Sequence, residues 1–258
     1  MIIRYIPADP AGNLTAIVLS PVEPQARAEV AARMMARCPE GFEQVGFAEE
    51  DSLTGEFPRL CMMGGEFCGN AARAFACYAA GVRGRGETRL SVAISGAKNP
   101  VPVEIDLSSC RAYAQMPLPY ALETLDVDGR EIPLVRMEGI DHALMLNAAP
   151  SPALAERVLA VMPKQDAQGV LFVQEDRMTP LVYVAATDTR VWESSCGSGT
   201  VALAWYLARN LADGAHAFAF DEPGGRLEAR VAMQMGQAVW IEMGGPVKLG
   251  EIREIELC

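Results

Sequence analysis

Two stretches of the sequence decide how the whole chain is interpreted: FCGNAARAFACYA at Phe67–Ala79 and SCGSGTVALAWYLA at Ser195–Ala208. In each, a cysteine is followed by glycine, a small polar residue and an apolar run that predicts a helix. Cys196 lies 128 positions after Cys68 (196 − 68), about half of the 258-residue chain. The same kind of helix start therefore occurs twice.

Other landmarks repeat at nearly the same spacing. Met116 and Met243 are 127 positions apart (243 − 116), and Gly96 and Gly225 are 129 apart (225 − 96). A repeat of this length is too long for a solenoid, whose units span roughly 20–50 residues. The spacing therefore indicates an internal duplication that gives two similar domains.

Each half of the chain mixes strands with helices. The predicted domains are residues 1–118 and 119–258, and the last strand can return to the first domain. Apolar, β-branched runs bounded by Gly and Pro predict many strands. Helical spacing, serine starts and proline stops predict helices at Gln25–Arg37, Asn70–Ala80, Ser151–Pro163 and Ser198–Arg209.

Composition excludes several classes of protein. The formal net charge of −11 argues against a nucleic-acid binder, which needs clustered Lys and Arg to neutralise phosphates. We expect no signal peptide and no membrane span, and so a cytoplasmic protein whose seven cysteines are reduced. An odd number of cysteines also cannot form a complete set of disulfides.

A cysteine at the start of a helix meets unpaired N–H groups and the positive end of the helix dipole. Both favour the thiolate, so we expect the pKa of Cys68 and of Cys196 to fall toward neutrality. The same N–H groups bind a carboxylate readily. Gly69 and Gly197 would let a substrate approach the backbone closely, because glycine has no Cβ.

Two such thiols beside one carboxylate suit proton removal at the adjacent carbon and proton return on its other face. One thiolate would act as base and the other thiol as acid, which is the chemistry of a racemase or epimerase. The competing interpretation is that Cys68 and Cys196 are small buried hydrophobes. For Asn70 and Ser198 the alternative is plain N-capping of the helices, which is compatible with a role in substrate binding.

Several motifs resemble the diaminopimelate epimerase superfamily of cofactor-independent amino-acid racemases. They are PAGNLTAIVL at Pro10–Leu19, GFEQVGF at Gly41–Phe47, the two Cys-Gly segments and PGGRLE at Pro223–Glu228. The resemblance implies an α/β (α+β) fold of two pseudo-symmetric domains. Each domain would be a strongly curved, mostly antiparallel sheet around a central helix, with the active site in the cleft between them and no cofactor or metal.

The segment before the second cysteine departs from diaminopimelate epimerases, because it lacks the arginine that holds the distal carboxylate of that substrate. A closer resemblance is to the histidine racemases of opine-metallophore biosynthesis. It rests on EQVGF at Glu43–Phe47, GEFCGNA at Gly65–Ala71, QMP at Gln115–Pro117 and WESSCGSGT at Trp192–Thr200. This resemblance implies interconversion of L-histidine and D-histidine by the two cysteines, for synthesis of an opine-type metallophore.

The resemblance also implies roles for individual residues. Cys68 and Cys196 would be catalytic, and Glu193 would accept hydrogen bonds from the substrate ammonium unless it is a solvated loop carboxylate. Charge and position suggest that Glu43 and Glu66 meet the imidazole ring, with Trp192 packed against it or buried in the core. The remaining predicted binding residues are Asn13, Gln44, Gly69, Asn70, Gly197, Ser198 and His142, the last of which could instead be a core or surface histidine.

Alternatives remain open at this point. The same chemistry could act on diaminopimelate, proline or another amino acid. A pyridoxal-phosphate racemase would need a lysine in a recognisable setting, and a metal-binding thiol protein would favour close CxxC spacing, which does not occur. The sequence leaves open whether histidine is the sole substrate, which cysteine acts on which enantiomer, and whether the protein is a homodimer.

Overall fold

The structure is a computed structural model that describes residues 1–84 and 86–257. The chain forms two compact units. Unit 1 consists of Met1–Gln115 together with Gly244–Cys258, and unit 2 consists of Met116–Met243. The fold is mixed α/β, with mostly β-sheet and few helices. No helix in the described residues is both long enough and apolar enough to cross a membrane.

Unit 1 contains eleven of the elements and two short 3₁₀ helices, at Pro24–Ala26 and Glu50–Ser52, within the described residues. Its elements are β1 (Ile2–Asp9), β2 (Thr15–Val18), α1 (Arg27–Arg37), β3 (Gln44–Glu49), β4 (Arg59–Met62), α2 (Gly69–Arg83), β5 (Arg89–Ile94), β6 (Val101–Asp106), β7 (Arg111–Gln115), β17 (Lys248–Leu249) and β18 (Arg253–Glu256).

The strands of unit 1 pair mainly antiparallel. Strand β1 pairs with β2 and, through its two ends, with β17 and β18 near the end of the chain. Two crossovers that contain helices make parallel pairs: α1 lies between β2 and β3, and α2 lies between β4 and β5. This topology places the start of α2 directly after β4.

Helix α2 is the central helix of unit 1. Its residues from Gly69 to Ala80 are buried except Tyr78, and they pack against apolar side chains of β1, β2, β4, β5, β6 and β7. A helix that is buried on all sides needs small side chains so that strands can approach it, and the six alanines from Ala71 to Ala80 provide this surface. Helix α1 packs on a separate apolar cluster around Met34.

Unit 2 holds the remaining elements of the described chain. They are β8 (Ala121–Val127), β9 (Arg130–Arg136), β10 (Ile140–Leu146), α3 (Pro152–Val161), β11 (Ala167–Gln174), β12 (Arg177–Val184), β13 (Thr189–Trp192), α4 (Gly197–Ala208), β14 (Gly214–Glu222), β15 (Gly225–Gln234) and β16 (Gln237–Pro246), whose last residues belong to unit 1.

As in unit 1, helices of unit 2 lie in the connections between strands that pair in parallel. Helix α3 lies between the parallel strands β10 and β11, and α4 follows β13 and precedes β14, which pairs parallel with β12. The other pairings recorded in this unit are antiparallel. Helix α4 is buried from Gly199 to Trp205 and packs on β10, β14 and β15.

The predicted helices are all present, with shifted ends. Helix α1 begins two residues later than predicted because a 3₁₀ turn precedes it, and α2 extends three residues beyond Ala80 to a left-handed Gly84. Ser151 caps α3 through its hydroxyl, which accepts a hydrogen bond from the Leu154 N–H. The cysteines within the described residues are free thiols, and Cys258 lies outside those residues.

Candidate active site

The first Cys-Gly segment places a thiol at the start of α2. Cys68 has extended backbone angles (φ −132°, ψ 112°) and is itself the N-cap residue. Its Sγ accepts a hydrogen bond from the Ala71 N–H at 3.4 Å. The alternative interpretation of Asn70 as the N-cap is therefore wrong, because the cysteine occupies that position and Asn70 lies inside the first turn.

The loop before Cys68 is fixed by the end of β5. The Ser95 hydroxyl donates to the Glu66 carbonyl at 3.0 Å and accepts from the Met62 N–H at 2.8 Å. Gly96 has φ +74°, and a Cβ at this position would lie 2.2 Å from the Phe67 nitrogen. Only glycine combines this conformation with so close an approach, so β5 sets the path by which the chain enters α2.

A row of polar side chains leads from inside α2 to the loop around Asn13. Arg73 Nη2 donates to Asn70 Oδ1 at 2.7 Å, Asn70 Nδ2 approaches Asn13 Oδ1 at 3.4 Å, and Asn13 Nδ2 donates to Glu43 Oε2 at 2.8 Å. A guanidinium only donates and an ionised carboxylate only accepts. The two ends of the row therefore fix the orientation of both amides between them.

Arg73 is a site residue that the sequence reasoning missed. It is fully buried, and its guanidinium also donates to three backbone carbonyls, those of Pro10, Ala112 and Gly245. Burial lowers the pKa of Arg73 to about 10, so it is still a cation near neutral pH. An arginine among alanines at the centre of a predicted buried helix was the signal that could have identified it.

The pKa of Cys68 does not fall as predicted. Burial raises it to about 11, and the Glu66 carboxylate adds to this, whereas hydrogen bonds from the Ala71 and Asn70 N–H groups and from the Gln44 side chain lower it. The helix start acts in the predicted direction, but removal of the thiolate from water is the larger effect. The prediction that the pKa of Cys68 falls toward neutrality is therefore wrong.

The second Cys-Gly segment builds a similar arrangement in unit 2. Cys196 is the N-cap of α4, and its Sγ accepts from the Gly199 N–H at 3.4 Å. Ser198 is again not the N-cap, which corrects the simple interpretation of this residue. Its hydroxyl lies 3.5 Å from Cys196 Sγ and 2.9 Å from His142 Nε2.

Glu222 is the second site residue that the sequence reasoning missed. This buried carboxylate accepts from the Cys196 N–H at 2.6 Å and from the Thr200 hydroxyl at 2.7 Å. It ends β14, and the turn after it is held by a hydrogen bond from the Gly224 N–H to the Ser194 carbonyl at 2.7 Å. Its position just before the Pro-Gly-Gly turn was the available signal.

The pKa of Cys196 is raised well above its usual value. Burial is the largest cause, the carboxylates of Glu193 and Glu222 add to it, and hydrogen bonds from Ser198 and the Gly199 N–H lower it. Cys196 thus has two carboxylates that disfavour its thiolate. The prediction of a lowered pKa is wrong here for the same reason as at Cys68.

His142 lies on β10 with no exposed surface. In the parallel pairing of β10 with β11, its direct partner is Gly169, and a Cβ on that glycine would lie 2.1 Å from His142 Nδ1. Gly169 therefore provides the space that the imidazole ring occupies. Burial lowers the pKa of His142 to about 3, so the ring is neutral at physiological pH.

The structure thus groups the predicted residues within each unit. In unit 1, the group around Cys68 consists of Gly69, Asn70, Asn13, Gln44, Glu43 and Glu66, of which Glu66 is exposed. In unit 2, the group around Cys196 consists of Gly197, Ser198, His142 and Glu193. Trp192 is 40% exposed and tilts against Phe172 at 5.8 Å, so it is not a core residue. Their roles toward a substrate stay predictions.

Comparison with known proteins gives consistent results. The family model described as "Histidine racemase CntK N-terminal domain" matches residues 2–251. A histidine racemase of Fusobacterium nucleatum is 30% identical over 224 residues, 81% of this chain and 82% of that protein. A histidine racemase of Staphylococcus aureus is 25% identical over 240 residues, 88% of this chain and 87% of that protein.

Among solved structures, a predicted epimerase from Pseudomonas aeruginosa superposes with a TM-score of 0.70 at 17% identity, covering 99% of this chain and all of that one. At this identity the likeness supports the fold alone. The family model, in contrast, matches nearly the whole chain, and one relative reaches 30% identity over most of both chains. The chain therefore belongs to the histidine racemase family.

Proposed function

We propose that this protein interconverts L-histidine and D-histidine by transferring the Cα proton between Cys68 and Cys196, without a cofactor. Membership of the histidine racemase family supports the substrate. The observation that carries the mechanism is that each unit has a buried helix capped by a cysteine thiol within a Cys-Gly segment. No other cysteine in the described residues is a helix N-cap.

In the proposed reaction, the thiolate of one cysteine takes the Cα proton and leaves an electron pair that is delocalised into the carboxylate. The thiol of the other cysteine then gives its proton to the opposite face of the same carbon. The two cysteines have thereby exchanged protonation states, and the reverse reaction restores them. N–H groups in the first turns of α2 and α4 would stabilise the charge that develops on the carboxylate.

The raised thiol pKa values fit this proposal if the substrate itself changes them. Glu193 and Glu222 raise the pKa of Cys196 through their negative charge. A substrate ammonium bound beside Glu193 would offset that charge and lower the pKa of the thiol. The active thiolate would then form mainly in the presence of substrate, which protects the resting enzyme from oxidation.

Proton exchange in D₂O tests the mechanism and the substrate together. NMR and chiral chromatography would follow L-histidine, diaminopimelate, proline and other L-amino acids with the wild type, Cys68→Ser and Cys196→Ser. Transfer between two thiols predicts deuterium in the early D-histidine product while the remaining L-histidine is still protiated. The exposed Cys110 provides the matched control Cys110→Ser, which should react like the wild type.

Each outcome has a definite meaning. Inversion of histidine that is lost in both Cys68→Ser and Cys196→Ser supports the proposal. Inversion of diaminopimelate or proline instead would keep the chemistry but replace the substrate. Full activity in either serine variant would refute the two-cysteine mechanism.

We further propose that the D-histidine serves synthesis of an opine-type metallophore in the cytoplasm. The sequence resemblance to histidine racemases of that pathway supports this role, and a reducing compartment keeps both thiols free. Deletion of the gene, followed by mass spectrometry of secreted metal-binding metabolites, would test it. Unchanged production of such a metabolite by the deletion strain would count against the role.

A further inference from the structure

Three side chains next to the start of α4 form a hydrogen-bonded row that ends at the thiol of Cys196. His142 Nε2 lies 2.9 Å from Ser198 Oγ, and Ser198 Oγ lies 3.5 Å from Cys196 Sγ. His142 has no exposed surface, and Ser198 lies between it and Cys196 in this row. An influence of His142 on Cys196 would therefore pass through Ser198.

The position of the imidazole ring determines which nitrogen carries the hydrogen. Nδ1 of His142 has no hydrogen-bond partner among the described residues. It also faces the Cα of Gly169, in the space where a Cβ would lie only 2.1 Å away. A hydrogen on Nδ1 would thus be a buried donor directed at a C–H group, and an unsatisfied buried donor costs about 1–3 kcal/mol. This favours the tautomer with the hydrogen on Nε2.

The tautomer gives the row a direction. With its hydrogen on Nε2, His142 donates to Ser198 Oγ. The hydroxyl hydrogen of Ser198 is then not needed by His142 and can be directed at Cys196 Sγ. Because burial keeps the ring neutral, with a pKa of about 3, this arrangement does not reverse at physiological pH.

We propose that His142 is a positioning residue that makes Ser198 donate to the Cys196 thiolate. This rests on the proposed function only in that it takes Cys196 as one of the two reacting thiols. The charged groups that face Cys196 are Glu193 and Glu222, and both disfavour its thiolate. The hydroxyl of Ser198 and the Gly199 N–H act against them, so this side of the site depends on a correctly directed hydroxyl.

The rate of alkylation by iodoacetamide at each cysteine tests the proposal, because only the thiolate reacts. Mass spectrometry of peptides would give the rate at Cys196 over a series of pH values, with Cys68 in the same sample as reference. His142→Leu removes the donor, and His142→Gln keeps a neutral N–H donor near the position of Nε2. His216→Gln, at the other histidine, is the matched control.

We expect His142→Leu and Ser198→Ala each to raise the pKa of the Cys196 thiol by about one unit. At a fixed pH below that pKa, the thiolate fraction and the rate of alkylation should therefore fall by about tenfold. Alkylation of Cys68 should not change, and His142→Gln and His216→Gln should react like the wild type. The double variant should be no slower than Ser198→Ala alone, because both substitutions act through one hydrogen bond. Circular dichroism would establish that each variant is folded.

Folded His142→Leu and Ser198→Ala variants whose Cys196 reacts at the wild-type rate would overturn the proposal, and so would additive effects in the double variant. The assay contains no amino-acid substrate. Failure of the wild type to racemise histidine would therefore refute the proposed function and leave this result intact. Conversely, if the wild type racemises histidine but Cys196 is alkylated at the wild-type rate in these variants, only the proposed role of His142 is refuted.

Discussion

Substitution of Gly169 by alanine tests whether the space beside His142 is as tight as the structure indicates. The two residues are direct partners in the parallel pair of β10 and β11. An added Cβ would lie 2.1 Å from Nδ1, 2.6 Å from Cε1 and 3.2 Å from Cγ of the ring. The distance from this Cβ to Nδ1 would thus be about 1.3 Å less than 3.4 Å, the shortest distance of ordinary van der Waals contact.

Two effects set the expected magnitude. The ring is fully buried, so it cannot simply turn away, and overpacking of this kind costs about 1–3 kcal/mol. A ring displaced by more than 1 Å also loses the 2.9 Å hydrogen bond to Ser198, which contributes about 1 kcal/mol. We therefore expect Gly169→Ala to lower the free energy of unfolding by about 2–4 kcal/mol.

Urea denaturation measures this change. Trp192, Trp205 and Trp240 all lie in unit 2, so tryptophan fluorescence follows that unit, and circular dichroism follows the whole chain. Gly81→Ala is the matched control, because Gly81 lies in α2 and a Cβ there meets nothing within 4 Å. The same added methyl should stabilise that helix by about 0.5–1 kcal/mol. A Gly169→Ala variant as stable as the wild type would refute the packing argument.

The remaining predictions concern the buried charges and the buried imidazole. Arg73→Met should lower the free energy of unfolding by about 3 kcal/mol, since it removes the hydrogen bonds that the guanidinium donates to three buried carbonyls, at about 1 kcal/mol each; a loss below about 1 kcal/mol in urea denaturation would contradict this. Glu222→Gln should remove a charge that raises the pKa of Cys196 and so speed its alkylation at fixed pH, and a slower reaction would show that the hydrogen bonds matter more than the charge. Burial depresses the pKa of His142 from 6.5 to about 3, so the unfolded chain binds a proton that the folded chain excludes in this range. The free energy of unfolding of the wild type should therefore fall as the pH drops below 6.5, and it should fall by less in His142→Gln. If the wild type and His142→Gln show the same pH dependence in urea denaturation, the ring is protonated in the folded protein and the reasoning is wrong.

Local sequence signals predicted the parts of the site that are local in the chain. The Cys-Gly segments at Cys68 and Cys196 gave the starts of α2 and α4 to within one residue, and Ser151 gave the start of α3. These features depend on residues within one helical turn of each other. A cysteine thiol that replaces the usual N-cap side chain follows from the same local geometry.

The parts that the sequence did not predict depend on contacts between distant residues. Arg73 reaches a carbonyl at Gly245, 172 positions away, and Glu222 reaches Cys196 across 26 positions. The direction of the thiol pKa shifts also failed, because the degree of burial is a property of the assembled unit. A helix start can be recognised from its own residues, but the loss of solvent around it cannot.

The return of residues 244–258 to unit 1 has a consequence for biosynthesis. Strand β1 pairs with β17 and β18, and the amino group of Met1 donates to the Leu257 carbonyl at 2.9 Å. Unit 2, in contrast, is a single uninterrupted stretch, Met116–Met243. During translation, the second unit can complete its strand set while the first still lacks its closing strands. The half of the protein that is synthesised first is therefore the half that finishes folding last, and β1 stays without its late partner strands until elongation is nearly complete.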